Sequence, residues 1–382
     1  MAQAPARTPR VLVVTNDFPP RVGGVQSYVS DLVRHLPTDR VSVLAPNWPG
    51  WREHDGALPF PVHRWPATTL VPTPDLARRV ASLARRHRAD VVLFGHGWPL
   101  PLLGPGLRRR SGTPYVVLTH GAEVWQACVP GWTGPMRRAL EGAAAVTGVS
   151  RFTSASIRAS LGLDRRFELL PPAVDHERFH PSAEGSEVRT RFGLDGRPVV
   201  VSVSRLVPRK GHDVLIRSIP SVRRLVPDAA LLIVGDGPYR GHLELAAADA
   251  PAGSVVFAGE ADDGDLPAFY AAGDVFAVPC RSRWGGLEVE GFGIVFLEAA
   301  ATGKPVIAGR SGGAAEAIVD GETGLLVESR EPKAVTLAMV SLLYDPPRSA
   351  RYGQAGRRRV EEAFTAGAQA ERLARILAAA AG

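Results

Sequence analysis

PVVVSVSRLVPRKG, residues 198–211, decides how this chain is built. Its first half is a short β-branched apolar run, the mark of a strand covered on both faces of a parallel sheet. Its second half turns abruptly polar, with Arg205 and Lys210 within five positions of each other, and a helical pattern follows over 211–226. The same succession occurs near the N-terminus, where VLVVTN (11–16) leads through DFPPRVGG into an amphipathic stretch from Val25 to Leu36. A strand pattern that restarts in mid-chain predicts two similar α/β halves.

Outward from these two stretches, further strand candidates are VSVLAP (41–46), DVVLFGHG (90–97), PYVVLTHG (114–121), AVTGVS (145–150) and FELLPP (167–172) in the first half. The second half adds AALLIVGDG (229–237), SVVFAG (254–259), DVFAVP (274–279), KPVIAG (304–309) and TGLLVE (323–328). Helical stretches intervene, and strands alternating with helices argue for doubly wound domains. The polar, Gly-containing stretch 180–196 suits a linker. The expected architecture is therefore two Rossmann-like domains facing a central cleft, over residues 1–185 and 186–365, with 366–382 as a C-terminal helix. Ligands of such sheets bind beyond the carboxyl ends of the strands.

Composition excludes several classes. Apolar residues are 45% and charged residues 22%, close to the average of folded soluble proteins. Cys128 and Cys280 cannot build a disulfide framework, and no CxxC or Cys/His cluster offers a zinc site, so a reducing compartment is expected. No run approaches the ~18–20 apolar residues of a membrane span. MAQAPARTPR runs into VLVVTN without an apolar signal core, and a cytoplasmic protein is expected. Charge is uneven: residues 1–186 hold 22 Lys+Arg against 14 Asp+Glu, a net +8, whereas 187–382 hold 23 against 24, a net −1. A basic half implies an anionic partner, a membrane surface or nucleic acid.

Four constellations can carry chemistry. Gly23 and Gly24, between the first strand and its helix, let backbone amides approach an anion, although neither GxGxxG nor the GK[ST] of a P-loop is present. Arg205 and Lys210 leave a strand end together and suit a diphosphate, the guanidinium gripping bidentately and the ammonium adding a point charge. Glu290 and Glu298 lie eight positions apart, so on a helix both carboxylates can point the same way and accept hydrogen bonds from vicinal hydroxyls. The helix is expected to begin at Gly291–Gly293, with Gly293 and Ile294 offering amides to a sugar or phosphate oxygen. His120 in THG and His96 in FGHG end neighbouring strands.

Taken together, GGV, THG, SRLVPRKG, VGDGP and the E-x7-E of EGFGIVFLE resemble the retaining glycosyltransferases of family four, of GT-B type, over roughly residues 10–365. Within them, NDFPPRVGGVQSYV, SRLVPRKG and GGLEVEGFGIVFLEA are most similar to the GDP-mannose-dependent mannosyltransferases that act on phosphatidylinositol mannosides. The resemblance implies that Arg205 and Lys210 hold the donor diphosphate and that the Gly23–Gly24 loop closes over it. It implies that Glu290 holds hydroxyls of the transferred sugar, Glu298 the nucleoside ribose, and the strand near Val256 the base. His120 would lie beside the sugar and Asp17 on the acceptor side. It further implies a C-terminal helix crossing back to the first domain. Two positions depart from the pattern: Trp284 replaces a Gly-rich run, and Ala366 and Gly367 follow FT where an aromatic residue is usual, which weakens that helix's anchor.

The implied chemistry is a front-face attack with retention, in which the departing phosphate assists deprotonation of the acceptor hydroxyl. Charge growing on the leaving diphosphate would be stabilised by Arg205, Lys210 and helix-start amides, so no cofactor and no metal is expected. DDGD (262–265) reads as a loop and cap. The basic stretch 75–90, with Leu76, Val80, Leu83 and His87 on one helical face and Arg78, Arg79, Arg85 and Arg86 elsewhere, is the expected contact with an anionic membrane. Expected partners are thus a nucleotide-sugar donor, a lipid-linked acceptor and the inner face of the plasma membrane, with no nucleic acid. A soluble enzyme using UDP- or ADP-sugars, or a non-catalytic nucleotide-sugar-binding protein, remains an alternative.

Overall fold

The computed structural model describes residues 8–21 and 23–382. The first seven residues, which belong to the segment read above as lacking a signal core, lie outside them. The chain forms two compact units, one running to Ala173 and taking up Ala366–Gly382, the other Val174–Thr365. The division falls before the expected 185/186 boundary, and the proposed linker contains a helix, Ser186–Arg191, of the second unit.

The first unit carries seven parallel strands: β1 (Val11–Val14), β2 (Val41–Pro46), β3 (Val62–Trp65), β4 (Val91–Phe94), β5 (Tyr115–Thr119), β6 (Ala145–Gly148) and β7 (Glu168–Leu169). Their order is β3-β2-β1-β4-β5-β6-β7. The second unit carries six: β8 (Val199–Val203), β9 (Ala230–Val234), β10 (Val255–Gly259), β11 (Val275–Val278), β12 (Val306–Gly309) and β13 (Gly324–Val327). They are ordered β10-β9-β8-β11-β12-β13, also in parallel. Both sheets reverse their winding once, between β1 and β4 and between β8 and β11. Loops leaving these neighbouring strands run apart there and open a crevice at the carboxyl ends.

Sequence accounts for the central strands directly. VLVV and VVVSV are buried along their whole length because crossover helices cover both faces. β3 was not anticipated: VHRW is an edge strand of half-buried residues, and its His63 and Arg64 mask the apolar signal. The helix Pro74–Arg86 opens on Thr73, whose hydroxyl accepts from Leu76 N at 3.3 Å, and it buries Leu76, Val80, Leu83 and Ala84 in the core. Each such aliphatic side chain contributes about 1.5–3 kcal/mol relative to exposure. The last helix, Ala366–Ala381, packs on the helix Gly24–Arg34 and against β4 and β5. Leu373, Ile376 and Leu377 supply its buried face, and the helix docks with Ala366 and Gly367 in its first turn. No helix among the described residues is long and apolar enough to cross a membrane.

Candidate active site

At the second unit's switch point, β8 ends at Val203, and the turn Pro208–Lys210 brings two cations onto one carboxylate. Lys210 Nζ stands 2.7 Å from Glu290 Oε2, and Arg209 pairs with the same oxygen. Cys280, just beyond β11, adds its Sγ at 3.5 Å. Burial pushes the Cys280 thiol up to about 12, so it stays protonated and donates. Burial alone would also raise Glu290, but the charges of Lys210 and Arg209 outweigh it and hold the carboxyl at about 2. All three contacts fall on Oε2, leaving Oε1 without a protein partner among the described residues.

Glycines make this convergence possible. Gly211 has φ +80, and a Cβ there would lie 2.2 Å from Pro279 O, so only glycine lets the Lys210 turn close on β11. Gly312, at φ +54, would likewise press a Cβ to 2.2 Å from Glu290 O. Gly293, at φ +89, caps the helix Ile294–Ala301, where a Cβ would meet the Phe296 ring at 2.5 Å.

Glu290 therefore precedes that helix rather than riding on it, and the eight-residue spacing does not align it with Glu298. The two carboxylates serve different partners: Tyr270 Oη donates to Glu298 Oε2 at 2.5 Å. Burial holds the Glu298 carboxyl above its ordinary value. Arg205 follows β8 directly, is exposed and has no ion pair among the described residues. Val256 is the second residue of β10, the edge strand, opposite Leu232. The DDGD run is a turn, Asp263–Asp265, ahead of the helix Leu266–Ala272, with Asp263 paired to Arg178 at 2.8 Å.

The first unit's switch point gathers a different set. Asp17, three residues past β1, stands 2.6 Å from His96 Nδ1, two residues past β4. Its other oxygen accepts from Gln26 Nε2 at 2.6 Å, which ties the Gly23–Gly24 turn to the sheet end. A Cβ on Gly23 would fall 2.3 Å from Gln26 Oε1, whereas Gly24 has open space. The His96 and His120 rings lie edge to face at 5.0 Å, and His120 Nε2 contacts Gly95 O at 2.7 Å. A carbonyl only accepts, so Nε2 carries the proton of the neutral ring.

Glu123, which sequence reasoning missed, is fully buried, and its two oxygens accept backbone amides from Gly97 at 3.0 Å, His120 at 2.9 Å and Gly121 at 2.9 Å. Burial works against charge throughout this cluster, and contacts decide the outcome. His96 is held above its ordinary value by Asp17 and Glu123 despite burial. Burial and the neighbouring His96 push His120 down to about 4. Asp17 stays below its ordinary value because His96 outweighs the cost of burial. The unit thus holds His96, with its pKa raised by two carboxylates, beside His120, with its pKa lowered.

Arg78, Arg79, Arg85 and Arg86 are exposed, and Arg78 pairs with Asp75. Their helix spends its apolar face on the core, so only a charged face is available, and His87 caps its end against His63 at 2.7 Å instead of joining the apolar stripe. Trp284 is 69% exposed, with Arg283 over its ring at 4.8 Å. Among the described residues no group of three or more His, Cys, Asp or Glu is placed to hold a metal ion.

Comparison with known proteins gives a consistent set. The family model described as Glycosyltransferase Family 4 matches residues 22–178, and that described as Glycosyl transferases group 1 matches 186–359. A GDP-mannose-dependent alpha-(1-6)-phosphatidylinositol monomannoside mannosyltransferase of Mycolicibacterium smegmatis is 46% identical, over 96% of this chain and 98% of its own length. A GDP-mannose-dependent monoacylated alpha-(1-6)-phosphatidylinositol monomannoside mannosyltransferase of Corynebacterium glutamicum is 40% identical over 96% and 97%. Among solved structures, Anabaena HepE in complex with UDP and glucose superposes with a TM-score of 0.78 at 20% identity, over 96% of this chain and 98% of that one.

Proposed function

Because the chain belongs to glycosyltransferase family 4, with a group 1 glycosyl transferase region as its second half, we propose that it is a retaining α-mannosyltransferase. It moves mannose from GDP-mannose to a phosphatidylinositol mannoside-type lipid at the cytoplasmic membrane face. The observation that carries the chemistry is the pair of cations fixed on Glu290 beyond β8. The donor and acceptor come from the named relatives.

In this reading Lys210, Arg209 and Arg205 take the diphosphate, whose charge grows as the bond from the sugar's anomeric carbon to phosphate breaks. Lys210 and Arg209 are already oriented by Glu290, so little reorganisation is needed when that charge appears. Glu290 Oε1 accepts from sugar hydroxyls, the amides of Gly293 and Ile294 donate to sugar or phosphate oxygens, and Glu298 faces the ribose with Val256 near the base. Asp17, His96 and His120 receive the acceptor. The new bond forms on the face the diphosphate leaves, and the acceptor's hydroxyl proton passes to a departing phosphate oxygen. These cations supply the charge stabilisation, and the reading includes no metal.

Thermal shift tests the donor: GDP should raise the melting temperature more than UDP or ADP at equal concentration, and EDTA should leave mannosyl transfer unchanged. Equal stabilisation by UDP would return the assignment to a UDP- or ADP-sugar enzyme. Inhibition by EDTA that Mg²⁺ reverses would remove the metal-free mechanism.

A further inference from the structure

The exposed large apolar side chains of the first unit gather at one end of its sheet. Val71, Leu102, Trp125, Trp132 and Phe152 are its exposed large apolar residues among those described. Every one lies in a connection leaving the carboxyl end of a strand: Val71 after β3, Leu102 after β4, Trp125 and Trp132 after β5, Phe152 after β6. Crossover helices then run back, so their last turns reach the amino ends of the next strands. Those turns carry exposed Arg85 and Arg86, Arg108, Arg109 and Arg110, and Arg138.

At the apolar end three indoles form one cluster. Trp98 and Trp132 have ring centroids 5.4 Å apart, and Trp125 and Trp132 6.1 Å apart. Trp125 and Trp132 are 44% and 36% exposed, while Trp98 packs partly on the core. The cluster adjoins the acceptor-side residues through one hydrogen bond. Gly97 N donates to Glu123 at 3.0 Å, Trp98 is the next residue after Gly97, and Trp125 is two after Glu123.

We propose that these carboxyl-end loops, led by Trp98, Trp125 and Trp132, are the surface by which the enzyme seats in the interface of a lipid bilayer. Indoles favour that layer because one end is apolar and the other wet. Contiguous exposed apolar surface marks an interaction site. The placement rests on the reading above: a lipid-linked acceptor must bring its hydroxyl to Asp17, His96 and His120 while its chains stay in the bilayer. The bilayer must therefore meet the sheet end that holds those residues. Arg85 and Arg86, at the opposite end, cannot seat the acceptor there.

Sedimentation with vesicles of phosphatidylcholine in 1 M NaCl isolates this contact, because the Debye length falls to ~3 Å and the arginine charges are screened. The parent should still co-sediment, and so should the variant combining Arg78→Glu, Arg79→Glu, Arg85→Glu and Arg86→Glu. Trp125→Ala with Trp132→Ala should lower the bound fraction about tenfold or more, since partition follows buried apolar area. Trp125→Phe with Trp132→Phe should recover part of it, which separates lost docking from lost folding. The proposal is overturned if the double alanine variant binds like the parent, or if the parent releases its vesicles at 1 M salt. Mannosyl transfer adds a second arm. The alanine variant should lose about tenfold more on vesicle-borne acceptor than on a deacylated one. Equal losses would make the rings a sugar platform and overturn the lipid assignment. A parent that binds vesicles but transfers no mannose would sink the enzyme reading alone.

Discussion

The two switch points invert the charge of the halves that carry them. The first half of the sequence is net +8, yet its site sets two carboxylates, Asp17 and Glu123, beside His96 and so holds that imidazole above its ordinary pKa. The second half is net −1, yet its site sets Arg209 and Lys210 on a single carboxylate, Glu290. Charge summed over a domain mostly counts solvated side chains at helix ends, where salt screens it. Charge at a site is set by which few residues the strand ends bring together under partial burial, where each counts for more. A donor diphosphate suits the second arrangement, and an uncharged hydroxyl the first.

The largest effect should come from the cationic site. Lys210→Ala and Arg209→Ala should each lower turnover at saturating donor roughly 10²-fold or more, the scale of losing one oriented charge contact. Arg205, exposed and unheld, should cost less when truncated. Steady-state kinetics on the three variants checks this, and a larger loss for Arg205→Ala would show that preorganisation on Glu290 is not what matters.

An intermediate effect is expected on stability at the first site. Both oxygens of Glu123 accept amides. Glu123→Gln would turn an N–H donor toward another donor, at a cost of about 1–3 kcal/mol for an unsatisfied buried group. Urea unfolding measures it, and an unchanged midpoint would mean the amides find other partners.

The smallest effect is a pH dependence. His96 is held above its ordinary value, so its pairing with Asp17 contributes fully below pH 6.5 and is lost as pH rises through the raised value. Asp17 is held below its own value of 3.8, so its share is present above that pH and is lost only on descent through the lowered value. The melting-temperature gap between parent and His96→Gln should be widest near pH 6 and should narrow toward pH 9. A constant gap would mean that His96 is not charged in the folded protein.

Among the described residues twelve of the thirteen strands are legible as apolar runs between turns, most of them because a parallel strand buried on both faces is apolar throughout. The exception, VHRW at an edge, is half-exposed and reads as polar. Motifs located both sites, since Arg205 and Lys210 leave one strand and His96 and His120 end two others. Their membership was less legible. Arg209 stands beside Lys210 in an arginine-rich chain, where no local signal sets it apart. Glu123 and Gln26 act by filling hydrogen bonds that no local pattern announces.

The sequence by itself determined the two sheets, the restart near residue 198 and the strand ends that hold the candidate sites, because burial and chain connectivity leave a parallel sheet few ways to wind. Only the tertiary structure decided that Glu290 joins Lys210 and Arg209, while Glu298 takes Tyr270. It also decided that the Pro74–Arg86 helix buries its apolar face and that three tryptophans from two loops meet. Those outcomes depend on contacts between residues far apart in the chain. A left-handed turn at Gly293 or a close approach at Gly211 can redirect such contacts without altering the local pattern of polar and apolar residues.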